Sequence, residues 1–394
     1  MFGALALAAS AQDLPGRWYP DAYPANPAEI SALESLGYVG AYEPDDAVDG
    51  VVRWDRDRAY AAPSLYSSGH AAEALLIAMD GRVLHRWRQP FHQAFPGLVS
   101  SDVRATGAWR RVALRVSDGH LLGVYEGLGL VHLDARSRTV WATADRAHHD
   151  ARWRPDGGVW TLTRSVRPGA GPAGQPLLED CVSELDPSGR EVNRVSVWAA
   201  LRASPWAALL DRAPTDTGDP MHTNALFPLD AVKRTASGIG GPRQVLLSMR
   251  HLDALAVLDL DREQIVWATT GPWRRQHDAE ITPTGALMLF DNRGGPGGTS
   301  RVLRFTPWSM DLVGAYGGSD GQRLVSEVLG AAQELPNGHL LVTESTRGRA
   351  LEVTPNGEVV WDFRNPEVAG DLRAAIFELI RLPAEAVTSW VSAR

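Results

Sequence analysis

The sequence predicts an all-β chain on three observations: short apolar runs at even spacing, glycine-bearing turns between them, and a phrase the chain repeats. His149-Asp150-Ala151 is followed by Pro155 and Gly157, and His277-Asp278-Ala279 by Pro283 and Gly285. His222-Thr223-Asn224-Ala225 with Pro228 keeps the histidine-to-proline spacing, and Gly330 with Pro336 and Gly338 keeps the frame without the histidine. No long helical pattern separates the runs, so they read as strands of one array.

Taken in order, residues 1–11 are small and apolar and end Ala9-Ser10-Ala11 before Gln12. That pattern resembles the apolar core and cleavage site of a secretory signal, but the basic start is missing, so either the start is truncated or the resemblance is accidental. It predicts a periplasmic or secreted protein. No other stretch approaches the roughly 18 to 20 apolar residues that a membrane span needs. Residues 12–69 are rich in Pro, Asp and Tyr and read as an arm on the main body, with one helix from Pro27 to Leu36 after an Asn26 cap. Residues 70–394 form the main domain.

Within that domain, Met79-Asp80-Gly81, Ser117-Asp118-Gly119, Pro155-Asp156-Gly157, Pro187-Ser188-Gly189, Pro336-Asn337-Gly338 and Pro355-Asn356-Gly357 are hairpin signals. Several units close on a tryptophan: Trp87, Trp141, Trp198, Trp267 and Trp361. Four strands in about 40 to 55 residues is the period of a propeller blade. Six blades are predicted: 108–145, 146–200, 220–272, 275–318, 329–366, and a sixth pairing the early hairpin 73–91 with a late strand from Ala374 to Pro383. Joining the two chain ends in one blade closes the ring and removes its open edges. The segments 168–178 and 199–220 are insertions, and 92–107 leaves room for a seventh blade. Gly169-x-Gly171-x-x-Gly174 matches a dinucleotide fingerprint only in letters, since Pro172 interrupts it and no strand-turn-helix surrounds it.

Composition narrows the function. A net charge of −8 argues against a nucleic-acid surface, and a single cysteine, Cys181, excludes an internal disulfide and a cysteine metal site. If the repeated phrase opens the innermost strand of each blade, its first position gives Arg111, His149, His222, His277, Gly330 and Phe377 around the channel mouth. Three imidazoles and a guanidinium facing one cavity suit an anion, and a histidine there can serve as nucleophile or base. Three histidines can also hold zinc. Against that, the sequence has no HxH or HExxH pair, and a cation beside Arg111 is unfavourable. No metal and no cofactor is predicted.

The set Met221-His222-Thr223-Asn224, Leu247-Ser248-Met249-Arg250-His251, Gln276-His277-Asp278-Ala279 and Phe290-Asp291-Asn292 resembles the bacterial arylsulfotransferase family. So does the stretch from Glu334-Leu335-Pro336-Asn337-Gly338 to Val360-Trp361. The resemblance runs over about residues 70–385. It implies a six-bladed propeller and PAPS-independent sulfuryl transfer from an aryl sulfate donor to a phenolic acceptor, by a ping-pong route. It implies that His277 is the nucleophile that becomes a sulfohistidine, and that His149, His222 and Arg250 hold the sulfuryl oxygens; Arg111 is a further candidate anion contact. The chain departs from the best-known members in lacking their N-terminal sandwich domain and their disulfide. Two other classes remain open on the residues alone: a propeller that binds a ligand or partner without catalysis, and a metal-dependent hydrolase or lyase using the same histidines.

Overall fold

The computed structural model describes residues 42–44, 48–100, 103–168, 176–215, 218–235, 238–319, 321–369, 372–383 and 388–391. The predicted start segment, the Pro27 to Leu36 helix and the Gly169 to Gly174 stretch lie outside these residues. The described chain is a six-bladed β-propeller. From inside to outside, blade 1 is Ile376–Arg381, Ser64–Ser68, Glu73–Ile77 and Val83–Arg88. Blade 2 is Arg111–Arg115, His120–Tyr125, Gly129–Leu133 and Thr139–Thr143. Blade 3 is Ala147–Trp153, Val159–Arg167, Leu177–Leu185 and Glu191–Ser196. Blade 4 is Thr223–Pro228, Gln244–Met249, Ala254–Asp259 and Gln264–Thr270. Blade 5 is His277–Ile281, Leu287–Asp291, Arg301–Phe305 and Leu312–Tyr316. Blade 6 is Ala331–Glu334, Leu340–Glu344, Arg349–Val353 and Val359–Arg364, with Gly50–Trp54 added at its outer edge.

Closure follows the expected route: the late strand pairs with Ser64–Ser68, Leu65 opposite Ile380 and Ser67 opposite Glu378. The propeller therefore begins at Ser64 rather than at residue 70. The arm also supplies a strand of its own, because Gly50–Trp54 pairs with the outer strand of blade 6. Residues 92–107 make no blade. Phe91–Ala94 and Val103–Gly107 are short helices, and Phe91, Phe95 and Leu98 pack into the core around Tyr125. The 199–220 insertion carries the two short helices Val197–Arg202 and Ala207–Arg212.

Burial explains the sequence texture. The middle strands of a blade are covered by neighbouring blades on both faces, so they read as runs, as in Ala254–Asp259, where every residue is buried. Outer strands such as Glu191–Ser196 meet solvent on one side and mix exposed with covered positions. Turn glycines hold left-handed backbone where the sequence places them; Gly189 (φ +81°) is further constrained, since a Cβ there would lie 2.5 Å from the Trp141 ring. Three of the blade-closing tryptophans hook the next blade. Trp87 Nε1 donates to Gly119 O (3.0 Å), Trp141 Nε1 to Pro187 O (3.1 Å) and Trp361 Nε1 to Met79 O (3.0 Å). Each indole thus buries its ring in one interface and satisfies its N–H on a turn of the neighbour.

Candidate active site

The innermost strands neighbour one another around the axis, and in three of them a bulge sits at the repeated phrase. Pairing shifts between His148 and Ala151, between Thr223 and Ala225, and between His277 and Glu280. The left-handed residue differs: it is His149 (φ 54°), His222 (φ 52°) and, in blade 5, Asp278 (φ 52°). In register, His277 opposes Phe290, whereas His148 opposes the matching Leu162. The copies are therefore equivalent in sequence frame but not in backbone, because each bulge re-aims its side chain separately.

His277 is fixed as a single tautomer. Its Nδ1 lies 2.7 Å from Asn292 Oδ1 and 3.1 Å from Arg275 O. Asn292 Nδ2 donates to Ser326 O (2.7 Å) and Leu329 O (2.6 Å), so the amide oxygen must be the atom that faces the histidine. Both partners of Nδ1 are acceptors. Nδ1 therefore carries the proton and Nε2 keeps its lone pair. Burial, then the Arg250 and Arg110 guanidinium groups, hold this imidazole well below its usual pKa, so it is neutral and nucleophilic at neutral pH. The preceding Gln276 is fully buried and donates to Met249 O and Ala254 O, anchoring this strand to blade 4.

His222 and Arg250 come from different parts of blade 4. His222 enters the inner strand, and both its backbone N–H (3.0 Å) and its Nδ1 (2.6 Å) reach the Asp219 carboxylate. Arg250 lies on the turn between the second and third strands, Arg250–Leu252. There Arg250 Nη1 stands 3.0 Å from His251 Nε2, and His251 Nδ1 donates to Asp219 O (2.7 Å). The rings of His222 and His251 have centroids 4.6 Å apart, and those of His149 and His222 5.1 Å. Burial drives the His222 pKa down to about 3 despite the Asp219 carboxylate beside it.

His149 completes the set from blade 3. Its backbone N–H donates to Glu126 Oε2 (3.0 Å), and its Nδ1 lies 2.8 Å from His148 Nδ1. His148 Nε2 faces Thr163 O at 3.3 Å, a carbonyl that can only accept. His148 Nδ1 therefore accepts, and His149 donates from Nδ1. In His149, His222 and His277 alike, the bound Nδ1–H leaves Nε2 as the basic nitrogen. His149, His222 and His277 are thus brought into one buried group with the half-buried Arg250 beside them, and Arg110 adds positive potential at His149 and His277.

Arg111 is not part of it. Its guanidinium is held by Asp150 (3.3 Å), Asp278 (3.0 Å) and Glu378 (2.7 Å), a knot across the axis joining blades 1, 2, 3 and 5. An arginine so neutralised offers nothing to a substrate anion, and its expected role as an anion contact is corrected accordingly. The two aspartates are the second residues of the repeated phrase. Each also accepts from the backbone of the following blade, Asp150 from Leu226 N (2.9 Å) and Asp278 from Ala332 N (3.0 Å). Gly330 is explained by crowding, since a Cβ there would lie 2.4 Å from Phe290. Phe377 lies beneath Arg110, 5.4 Å from its guanidinium. Reasoning from strand register missed Glu126, Asp219, His251 and Asn292. The last two belong to the stretches that carry the family resemblance, but their roles follow only from the folded turns.

Stability should follow from these buried groups. Burial raises Asp145, Asp180 and Glu378 to about 7 and Glu280 to about 8. The native state therefore binds more protons than the unfolded chain above about pH 4, and stability is lost as pH rises through 7 to 8. The buried histidines, lowered in the fold, act oppositely but only below their unfolded value of about 6.5. Thermal stability is expected to be highest near pH 6 to 6.5 and to fall toward about pH 8.5. Calorimetric scans across that range check it; a midpoint that rises between pH 7 and 8.5 contradicts it.

A family model for arylsulfotransferase (ASST) matches residues 115–366. No curated protein matches the chain. Among solved structures, a protein of unknown function from Bacteroides caccae aligns with a TM-score of 0.52 at 11% identity, over 80% of this chain and 97% of that one. A streptogramin B lyase gives 0.45 at 9% identity, over 84% and 86%. The propeller domain of Cps50 (Swd1) from Myceliophteria thermophila gives 0.43 at 14%, over 83% and 90%. These are likenesses of fold. The matched region carries Glu126, His149, His222, Arg250, His277 and Asn292, and the chain belongs to the arylsulfotransferase family.

Proposed function

We propose that the chain is a PAPS-independent aryl sulfotransferase working by a ping-pong route through His277. The observation that carries this reading is the His277 tautomer, a neutral imidazole with a free Nε2 lone pair beside Arg250. In the first half-reaction Nε2 attacks sulfur, the S–O bond to the donor's phenol breaks, and the departing phenolate leaves with the bonding pair and takes its proton from solvent. In the second, an acceptor phenol loses a proton, its oxygen attacks the sulfohistidine, and the N–S bond returns its electrons to Nε2. Arg250 carries charge on the sulfuryl oxygens throughout. Asp219 on Nδ1 offsets part of the burial that holds His222 down to about 3, which makes His222 the candidate to take the acceptor phenol's proton transiently as the new O–S bond forms. Equatorial charge with in-line attack is a demand shared with phosphoryl transfer, so positioning supplies much of the rate.

The test uses 4-nitrophenyl sulfate as donor and phenol as acceptor. Parallel double-reciprocal lines are expected, along with the mass of one SO3 group on the peptide that carries His277 when acceptor is withheld. Turnover without that adduct sinks the nucleophile assignment. One observation favours a second reading: Glu126, His148 and His149, and likewise Asp219, His222 and His251, bring ligand atoms within 4.8 Å of one another. These trios could hold a divalent cation in a hydrolase or lyase. Activity on aryl sulfate that survives exhaustive chelation removes that reading.

A further inference from the structure

Behind the histidines lies a second cluster, of which only Asp219 enters the steps above. Arg164, on the second strand of blade 3, is 2% exposed. Its guanidinium stands 3.8 Å from each of Glu126 Oε1, Asp180 Oδ1 and Asp219 Oδ2. Those carboxylates come from three places: the turn between the second and third strands of blade 2, the third strand of blade 3, and the segment before blade 4. Each also grips the histidine wall. Glu126 takes the His149 backbone N–H, and its other oxygen lies 3.5 Å from His149 Nδ1. Asp219 takes both the backbone and ring N–H of His222. Asp180 accepts from Thr223 N at 2.7 Å, next to His222, and lies 3.6 Å from His148 Nε2.

Three carboxylates gathered in a buried space must protonate, scatter or share a cation. Here the shared cation is the arginine, and both trios of candidate metal ligands rest on carboxylates it already serves. We infer that Arg164 is a positioning residue that occupies the seat a metal ion would take, bridging Glu126, Asp180 and Asp219 and thereby holding His149 and His222 with Nδ1–H bound and Nε2 unprotonated. The part of this that concerns catalysis rests on the sulfotransferase reading; the part that concerns histidine state does not. Burial raises Glu126 and Asp180, with Arg164 opposing it at both, and Asp219 is held low by His222 and Arg164 against its burial.

The experiment compares the parent chain with Arg164→Met and Arg164→Lys, using selectively 15N-labelled histidine to read each ring's tautomer and the pH profile of kcat/KM to read the site. In the parent, His149, His222 and His277 are expected to carry the Nδ1 proton. In Arg164→Met, His149 and His222 should lose that single tautomer while His277, held by Asn292, keeps it. The carboxylates lose their cation and rise in pKa, so the acid limb of the profile should move upward by about one unit or more. The rate should fall about 10²-fold. Arg164→Lys restores the charge and should recover part of each effect. If the methionine variant does not fold, the lysine variant decides, because one ammonium cannot reach three carboxylates at once and one of the two rings should change. Unaltered tautomers at both His149 and His222, with an unmoved acid limb, overturn the inference. A parent chain that turns over no aryl sulfate overturns the activity reading instead, and the tautomer spectra still decide this one.

Discussion

His277→Ala is expected to lower sulfuryl transfer by about 10⁴-fold or more, with no SO3 group on any histidine peptide. The size of the effect follows from the role: removing a nucleophile that forms a covalent intermediate takes away the route, whereas removing one oxyanion donor typically costs about 10²- to 10³-fold. The fold should survive, because among the described residues the His277 ring bonds Asn292 and the Arg275 carbonyl, and Gln276 still anchors the strand to blade 4. Steady-state assay with 4-nitrophenyl sulfate, together with peptide mass analysis, checks both parts. Turnover within about tenfold of the parent would move the covalent role off this residue.

Arg111→Met is expected to act on stability. The substitution leaves Asp150, Asp278 and Glu378 in the channel without the guanidinium that joins them. Breaking a buried ion pair from one side costs about 3 to 5 kcal/mol, and here three carboxylates are stranded at once. The loss should be pH-dependent. Glu378, already raised by burial, rises further without Arg111, so the native state holds its proton to higher pH and the variant loses more stability than the parent as pH increases. Chemical denaturation at about pH 5.5 and 8 measures it. A midpoint equal to the parent's at both values would contradict the knot, and so would a larger deficit at the acidic one.

The ring itself was legible in the sequence because a propeller repeats its instructions. Turn glycines, closing tryptophans and the histidine phrase each recur at blade spacing, and the late strand 376–381 completes blade 1 as the edge argument requires. What the repeat could not convey is direction. Neighbouring residues of a strand face opposite ways, so a one-residue difference exchanges roles. Arg111 turns into the channel knot, while Arg110 beside it raises the potential at His149 and His277. Bulges add a second ambiguity, since His149 and His277 match in frame yet differ in backbone. Arg250, Glu126 and Asn292 lie on turns between second and third strands, outside the inner-strand count. A family pattern could find Arg250 there; strand register could not.

The Arg111 knot also ties the ring by charge. One guanidinium joins blades 1, 2, 3 and 5 across the axis, so parting blade 2 from blade 5 means breaking a buried ion pair between blades that share no edge.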